Sequence, residues 1–161
     1  MGQSYRMSER AERLRKFHRW AEERDGVFSR SEAVDRGLTK YDVAGGLSDG
    51  RWVKYLGSYL LSGAPVTARA TLRAALIRSG RRAKATATSA LDIYGFDLRL
   101  AAGLKIGDDF AFLSVPASRH IELGPRVHLI RETDSVGTAT WVDGIPLVDR
   151  RRAIVDALRF L

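Results

Sequence analysis

Three histidines, one pair of adjacent aspartates and a scatter of cations and hydroxyls are the residues of this chain equipped for chemistry. His18, His120 and His128 lie far apart, with no H-x-x-x-H pair, and there is no cysteine, so no metal centre is spelled out. Asp108-Asp109 has the acidic look of a metal-dependent nuclease, but no E-x-K partner follows, and a solvated turn is the simpler reading. There is no G-x-S-x-G nucleophile, and the glycines of "GLSDGRW" do not make a P-loop. The residues argue against an enzyme and ask for no cofactor and no metal.

The cations and hydroxyls tell more, because they gather at helix starts and on a hairpin. Ser29, Arg30 and Thr39 stand where helices begin, and the backbone N–H groups at such ends favour phosphate. Lys40 and Tyr41 occupy the first turn of a helix whose Val43 and Leu47 must face a core, which turns Gly45 and Ser48 outward or to the flanks. Arg51 and Lys54 sit on the hairpin that follows. This set suits a protein gripping duplex DNA, with Lys40 and Tyr41 toward base edges and the rest toward phosphates. A solvated charge is the plain alternative for Arg51. For Gly45 and Gly46 the alternatives are close approach to DNA, or a short helix that frays into a loop. Arg81, Arg82 and Lys84 form a second basic cluster of candidate phosphate contacts. A third, Arg150–Arg152, reads more simply as side chains splayed into water. Trp52, Tyr55 and Tyr59 alternate on the hairpin; a core face explains them better than stacking on single-stranded bases.

The elements that must position these residues follow from caps and periodicity. Residues 8–24 read as a helix with Leu14, Phe17 and Ala21 on one stripe and Trp20 beside it, ended by Gly26. Ser29-Arg30-Ser31-Glu32 fits a capping box, and Thr39 with Asp42 a weaker second one, so two short helices join through Arg36-Gly37-Leu38. "RWVKYL" and "YLLS" read as strands around a Gly57-Ser58 turn of type II′. Three helices and a hairpin are the parts of a winged helix, predicted over 1–62. Gly63-Ala64-Pro65 marks a break.

Residues 63–161 then read as a small mixed α/β region. "TARATLRAALIRSG" is a helix with Leu72, Ala75 and Leu76 inward, and "TSALDIYGF" a short helix capped near Thr88 or Ser89. Residues 110–116, 126–132 and 138–142 are strand candidates, with Asp143-Gly144 a hairpin turn into "IPLV". Asp149 caps a last helix, on which Ile154, Val155, Leu158 and Leu161 make an apolar face expected to pack inward. The fold class expected is α+β.

Composition sets the outer bounds. The chain has 161 residues, 45% of them hydrophobic, enough for a real core. Lys and Arg number 27 against 19 Asp and Glu, a formal charge of +8 that favours a polyanionic partner, although 22 of the 27 are arginine, as GC-rich codons alone would favour. No run nears the roughly 18–20 apolar residues of a membrane span, and "MGQSYRMSERAERLRKFHRW" lacks the apolar segment of a signal peptide. A cytoplasmic protein without membrane contact is expected.

The order "GVFSRSEAVDRGLTKYDVAGGLSDGRWVKYLGSYLLSGAP", a helix, "ATATSALDIYGF", "LSVPASR", "RVHLI" and "VDGIPLVDRRRAIVDAL" resembles the AbiEi-type antitoxin and transcriptional regulator family of bacteria, over about residues 12 to 161. The resemblance implies a winged-helix head that binds operator DNA, inverted repeats included, and represses its own operon. It also implies a downstream antitoxin-like region that counteracts a nucleotidyltransferase-like toxin in a type IV toxin–antitoxin system. The family's recognition helix is commonly richer in arginine than "KYDVAGGLS". Members also continue beyond the final helix, so the chain as given is expected to bind DNA but to neutralise a toxin poorly. The alternative function is a protein-interaction module whose winged helix is only a scaffold for binding a toxin or another subunit; a nuclease accessory half ranks below both.

Overall fold

The computed structural model describes residues 2–98, 110–133 and 137–160. Asp108-Asp109 therefore lie outside the described residues, as does Leu161. The protein is α+β and divides into two compact units, Met1–Pro65 and Val66–Leu161.

The first unit begins with α1 (Gly2–Glu22). The helix starts before Ser8, because nothing in the preceding residues breaks it. It ends at Glu22, where the turn through Asp25 and Gly26 takes φ to 59° and 76°, out of the helical region. A two-residue strand, β1 (Val27–Phe28), follows. It is too short to announce itself in a sequence pattern. Next come α2 (Arg30–Asp35), α3 (Lys40–Ser48), β2 (Trp52–Tyr55) and β3 (Ser58–Leu61). The strands pair antiparallel in the order β1-β3-β2.

Phe17, Phe28 and Trp52 form the centre of this unit. Phe28 meets Phe17 and Trp52 edge-on, with centroids 4.8 and 5.4 Å away, and stacks on Tyr59 at 5.4 Å. Ala21, Ala33, Leu38, Val43 and Leu61 close around them, so every element of the unit reaches one core.

The hairpin differs from expectation by one residue. Its turn is Leu56-Gly57, with φ of 46° and 80°, hence type I′ rather than II′ over Gly57-Ser58. Ser58 belongs to the strand because its hydroxyl is buried and donates to the Tyr55 carbonyl at 2.7 Å. Register then puts Trp52 and Lys54 opposite Leu61 and Tyr59, and leaves Tyr55 on the other face from Trp52. The three aromatic residues do not share one face.

The second unit runs α4 (Ala68–Ser79), β4 (Lys84–Ala85), α5 (Ala87–Ile93), β5 (Ala111–Pro116), β6 (Val127–Glu132), β7 (Thr140–Val142), β8 (Ile145–Leu147) and α6 (Arg150–Leu158). Its five strands lie in the order β6-β5-β4-β8-β7, parallel at β5–β6 and β4–β8 and antiparallel elsewhere. Five consecutive residues of β5 are buried, so both faces of the sheet are covered at its middle. Helix α5 begins at Ala87, two to three residues earlier than a cap at Thr88 or Ser89 allows. The Thr86 hydroxyl at that end makes no cap and instead donates to the buried Asp156 carboxylate at 2.5 Å.

Helix α6 reverses the expected packing. Asp149 caps it, but its buried residues are Ala153, Asp156 and Ala157, while Ile154, Val155 and Leu158 are 42%, 52% and 60% exposed. Asp156 goes inward because Thr86 and Arg152 hold it there. That ion pair and two small alanines outcompete the larger apolar side. Among the described residues, no helix is long and apolar enough to cross a membrane.

Candidate nucleic-acid interface

Helix α3 carries the residues expected to read DNA, and its two ends are fastened differently. At its start a full capping box forms. Asp42 N–H donates to the Thr39 hydroxyl at 3.1 Å, and the Thr39 N–H and hydroxyl both donate to Asp42 Oδ2, at 2.9 and 2.8 Å. Arg10 of α1 donates to the other oxygen, Oδ1, at 2.7 Å. Burial alone would push the Asp42 pKa up. The hydrogen bonds from Thr39, joined by Arg10, outweigh it and hold the carboxyl below its ordinary value.

At the other end Trp52 locks helix to hairpin. Its indole N–H donates to the Val43 carbonyl at 3.0 Å, and its ring lies flat enough on the helix that a Cβ at Gly46 would fall 1.9 Å from it. Gly46 is thus bare because a tryptophan occupies the space. A Cβ at Gly45 meets nothing nearer than Arg51 Nη2 at 3.8 Å. The helix runs through both glycines to Ser48, so it does not fray into a loop at Gly45.

The outward arc is what remains. At about 100° per residue, Lys40, Ala44, Ser48 and Tyr41 fall within about 100° of one another, and all four are exposed, Tyr41 to 73%. Asp42 and Gly46 lie on the opposite side, buried, and Val43 and Leu47, between them and Lys40, pack on the core. The Lys40 ammonium lies 5.1 Å from the Tyr41 ring. Arg30, in the first turn of α2, and Lys54, on β2, are exposed.

The other expected contacts are less available. Ser29 uses its N–H on Glu32 Oε2 at 2.8 Å, and its hydroxyl accepts the Glu32 N–H at 3.1 Å and meets Ser31 at 3.0 Å. The Thr39 hydroxyl has its proton committed to Asp42. Arg51 is half-buried, 3.1 Å from Asp49 Oδ2, with its guanidinium 5.1 Å from the centre of the Trp52 ring. The basic run of the second unit does not stay together. Arg81 and Arg82 are exposed on the turn after α4, whereas Lys84 is buried in β4. Nor do Arg150–Arg152 all splay outward, since Arg152 turns in to Glu132 at 3.0 Å and Asp156 at 2.8 Å.

One cation escaped the sequence reading. Arg36, exposed in the turn between α2 and α3, lies 4.6 Å from the Trp20 ring, which Arg24 approaches at 5.0 Å. Its place in the helix–turn–helix linker was the available signal. Among the described residues no three His, Asp or Glu side chains are grouped to hold a metal ion. His18 pairs with Glu22 at 3.4 Å, and His128 stacks against Phe110 and Phe112. Compared with known proteins, the chain matches no family model and no curated protein.

Proposed function

We propose that residues 1–65 are a winged helix-turn-helix module that binds duplex DNA sequence-specifically, and that the protein is a transcriptional repressor of its own operon, as in AbiEi-type antitoxins. The observation that carries this is the outward arc of α3. A short, doubly fastened helix presents Lys40, Tyr41, Ala44 and Ser48 to solvent, and among the described residues nothing covers Tyr41. A recognition helix needs that combination of rigid support and a bare, hydrogen-bonding face. In this reading Lys40 and Tyr41 meet base edges. Arg30, Arg36 and Lys54 meet phosphates, and Gly45 admits the backbone close to the groove. Ser29 and Thr39 serve the binding surface as caps, since their donors are spent internally.

A gel shift with DNA from the gene's own upstream region, against shuffled DNA of the same composition, tests it. Preference for the upstream DNA, weakening with salt, is the expected result. Equal affinity for both, or affinity indifferent to salt, overturns it.

The second reading is a protein-interaction module, with a toxin or another subunit as partner. It draws on α6, where Ile154, Val155 and Leu158 leave apolar surface in solvent. Retention of a purified toxin from the neighbouring gene, lost on Leu158→Asp with the fold intact, supports it; no retention removes it.

A further inference from the structure

In the second unit a cleft of about 350 Å³ opens between the end of β6 and the start of α6. Four cations line it, Lys84, Arg131, Arg152 and Arg159, against two carboxylates, Glu132 and Asp149. Val148 is the one apolar side chain among the described lining residues, which suits the cleft to a small hydrophilic ligand.

Lys84 is the odd member. It is 93% buried, being 7% exposed, yet its three-donor ammonium has one hydrogen-bond acceptor among the described residues, the Gly137 carbonyl. Burial lowers its pKa, and Glu132 and Asp149 pull it partly back. A cation is kept out of water there with donors to spare. Beside it, Ser114 is the register partner of Lys84 across β4–β5, so both side chains leave the same face of the sheet. The Ser114 hydroxyl is buried and has no hydrogen-bond partner among the described residues. Of the two, Lys84 lines the cleft, and its spare donors call for a ligand there; Ser114 lies on the same face but not in the lining.

Arg152 supplies rigidity. Its guanidinium is held by Asp156 at 2.8 Å and Glu132 at 3.0 Å, and Asp156 is itself anchored by Thr86 at 2.5 Å. Arg131, at the end of β6, and Arg159, 3.6 Å from Asp156 Oδ1, are exposed residues of the rim.

We propose that this cleft binds the phosphate group of a small phosphomonoester, with Lys84 as the buried counter-charge and Arg131 and Arg159 closing from the rim. A phosphomonoester carries about −1.5 to −2 charge near neutrality and three acceptor oxygens. Among the described lining residues cations outnumber anions by two, which suits such a dianion better than a singly charged carboxylate. The cleft also has room for the organic part of the ester. The proposal is independent of DNA binding by residues 1–65.

The test is calorimetric titration of the full chain in a phosphate-free buffer with ribose 5-phosphate, inorganic phosphate and an unphosphorylated oligonucleotide as separate probes. Ribose 5-phosphate is expected to saturate one site with Kd at or below about 1 mM. Lys84→Met should weaken it about tenfold and the rim variant Arg131→Gln about threefold, because the latter removes one solvated cation without touching buried packing. No saturation by roughly 10 mM overturns the proposal, as does unchanged affinity in Arg131→Gln together with folded Lys84→Met. Inorganic phosphate binding about tenfold more tightly than the ester overturns the choice of ligand. Oligonucleotide alone binding, with loss in the same variants, replaces it with a nucleic-acid surface.

Discussion

Residues 1–65 hold 12 Lys and Arg against 9 Asp and Glu, and residues 66–161 hold 15 against 10, yet the less basic unit is the one proposed to bind DNA. In the first, Arg30, Arg36, Lys40 and Lys54 are exposed. In the second, Arg81, Arg82, Arg131 and Arg159 are exposed as well, but Lys84 is buried and Arg152 is committed to Glu132 and Asp156. Charge counts say what a protein attracts; only the direction of each side chain says where. The acids differ in the same way. Asp42 fastens a helix whose exposed face carries Lys40, Tyr41 and Ser48, while Asp156 pins a helix inward and leaves its apolar side exposed.

The sharpest way to break this contrast is to delete the two acids. Asp156→Ala should destabilise the second unit by about 3 kcal/mol, because it strips Arg152 and Thr86 of their buried partner at once. Asp42→Ala should cost about 1–2 kcal/mol, the value of a lost cap, since its partner Arg10 is half in water. Urea unfolding of both variants measures the pair. An Asp42 variant as damaged as the Asp156 variant would erase the distinction.

The adjacent glycines should respond with opposite signs. Gly46→Ala drives a methyl into the Trp52 ring and should cost about 1–3 kcal/mol. Gly45→Ala enters open space inside a helix and should stabilise by up to about 1 kcal/mol while weakening specific DNA binding. Thermal unfolding and operator affinity read the two effects separately. Normal operator binding by Gly45→Leu would remove the glycine from the interface.

Binding contrasts between the units should be smaller. Lys54→Ala should flatten the log–log salt dependence of duplex affinity by about one unit and leave sequence preference intact. Arg51→Ala should also lower stability, given its contacts with Asp49 and Trp52. Arg131→Gln in the second unit should leave the slope unchanged. The least effect is expected in acid. Asp42 has a folded pKa below 3.8, so its contribution is whole above pH 3.8 and is lost as pH falls through the lower folded value. Asp42→Asn should flatten the acid limb of stability below pH 3.8 and nowhere else.

Much of the framework was legible from residues alone, for local reasons. Ser29 with Glu32, Thr39 with Asp42 and Asp149 before α6 are caps written within four residues, and each is formed. Phe17, Ala21, Val43 and Leu72 declare their burial through helical spacing. Asp143-Gly144 turns as such dipeptides do, with φ of 49° and 71°. The hairpin turn at Leu56-Gly57 was misread because a leucine in left-handed backbone is unfavourable by itself. Strand register and the buried Ser58 decide it.

What the sequence determined, then, is whatever depends on neighbours a few residues apart: caps, stripes, turns and the sign of the charge. What only tertiary structure decided depends on groups far apart in the chain. Gly46 is bare because the Trp52 ring packs on it, and Asp42 is held from its far side by Arg10, 32 residues earlier. Lys84 leaves its neighbours Arg81 and Arg82 to join Arg131, Arg152 and Arg159. Ile154, Val155 and Leu158 look outward because Thr86, 70 residues before Asp156, holds the opposite side of α6 in. Periodicity names two candidate faces of a helix; which one is buried is settled by the partner that the other strands and helices bring to it.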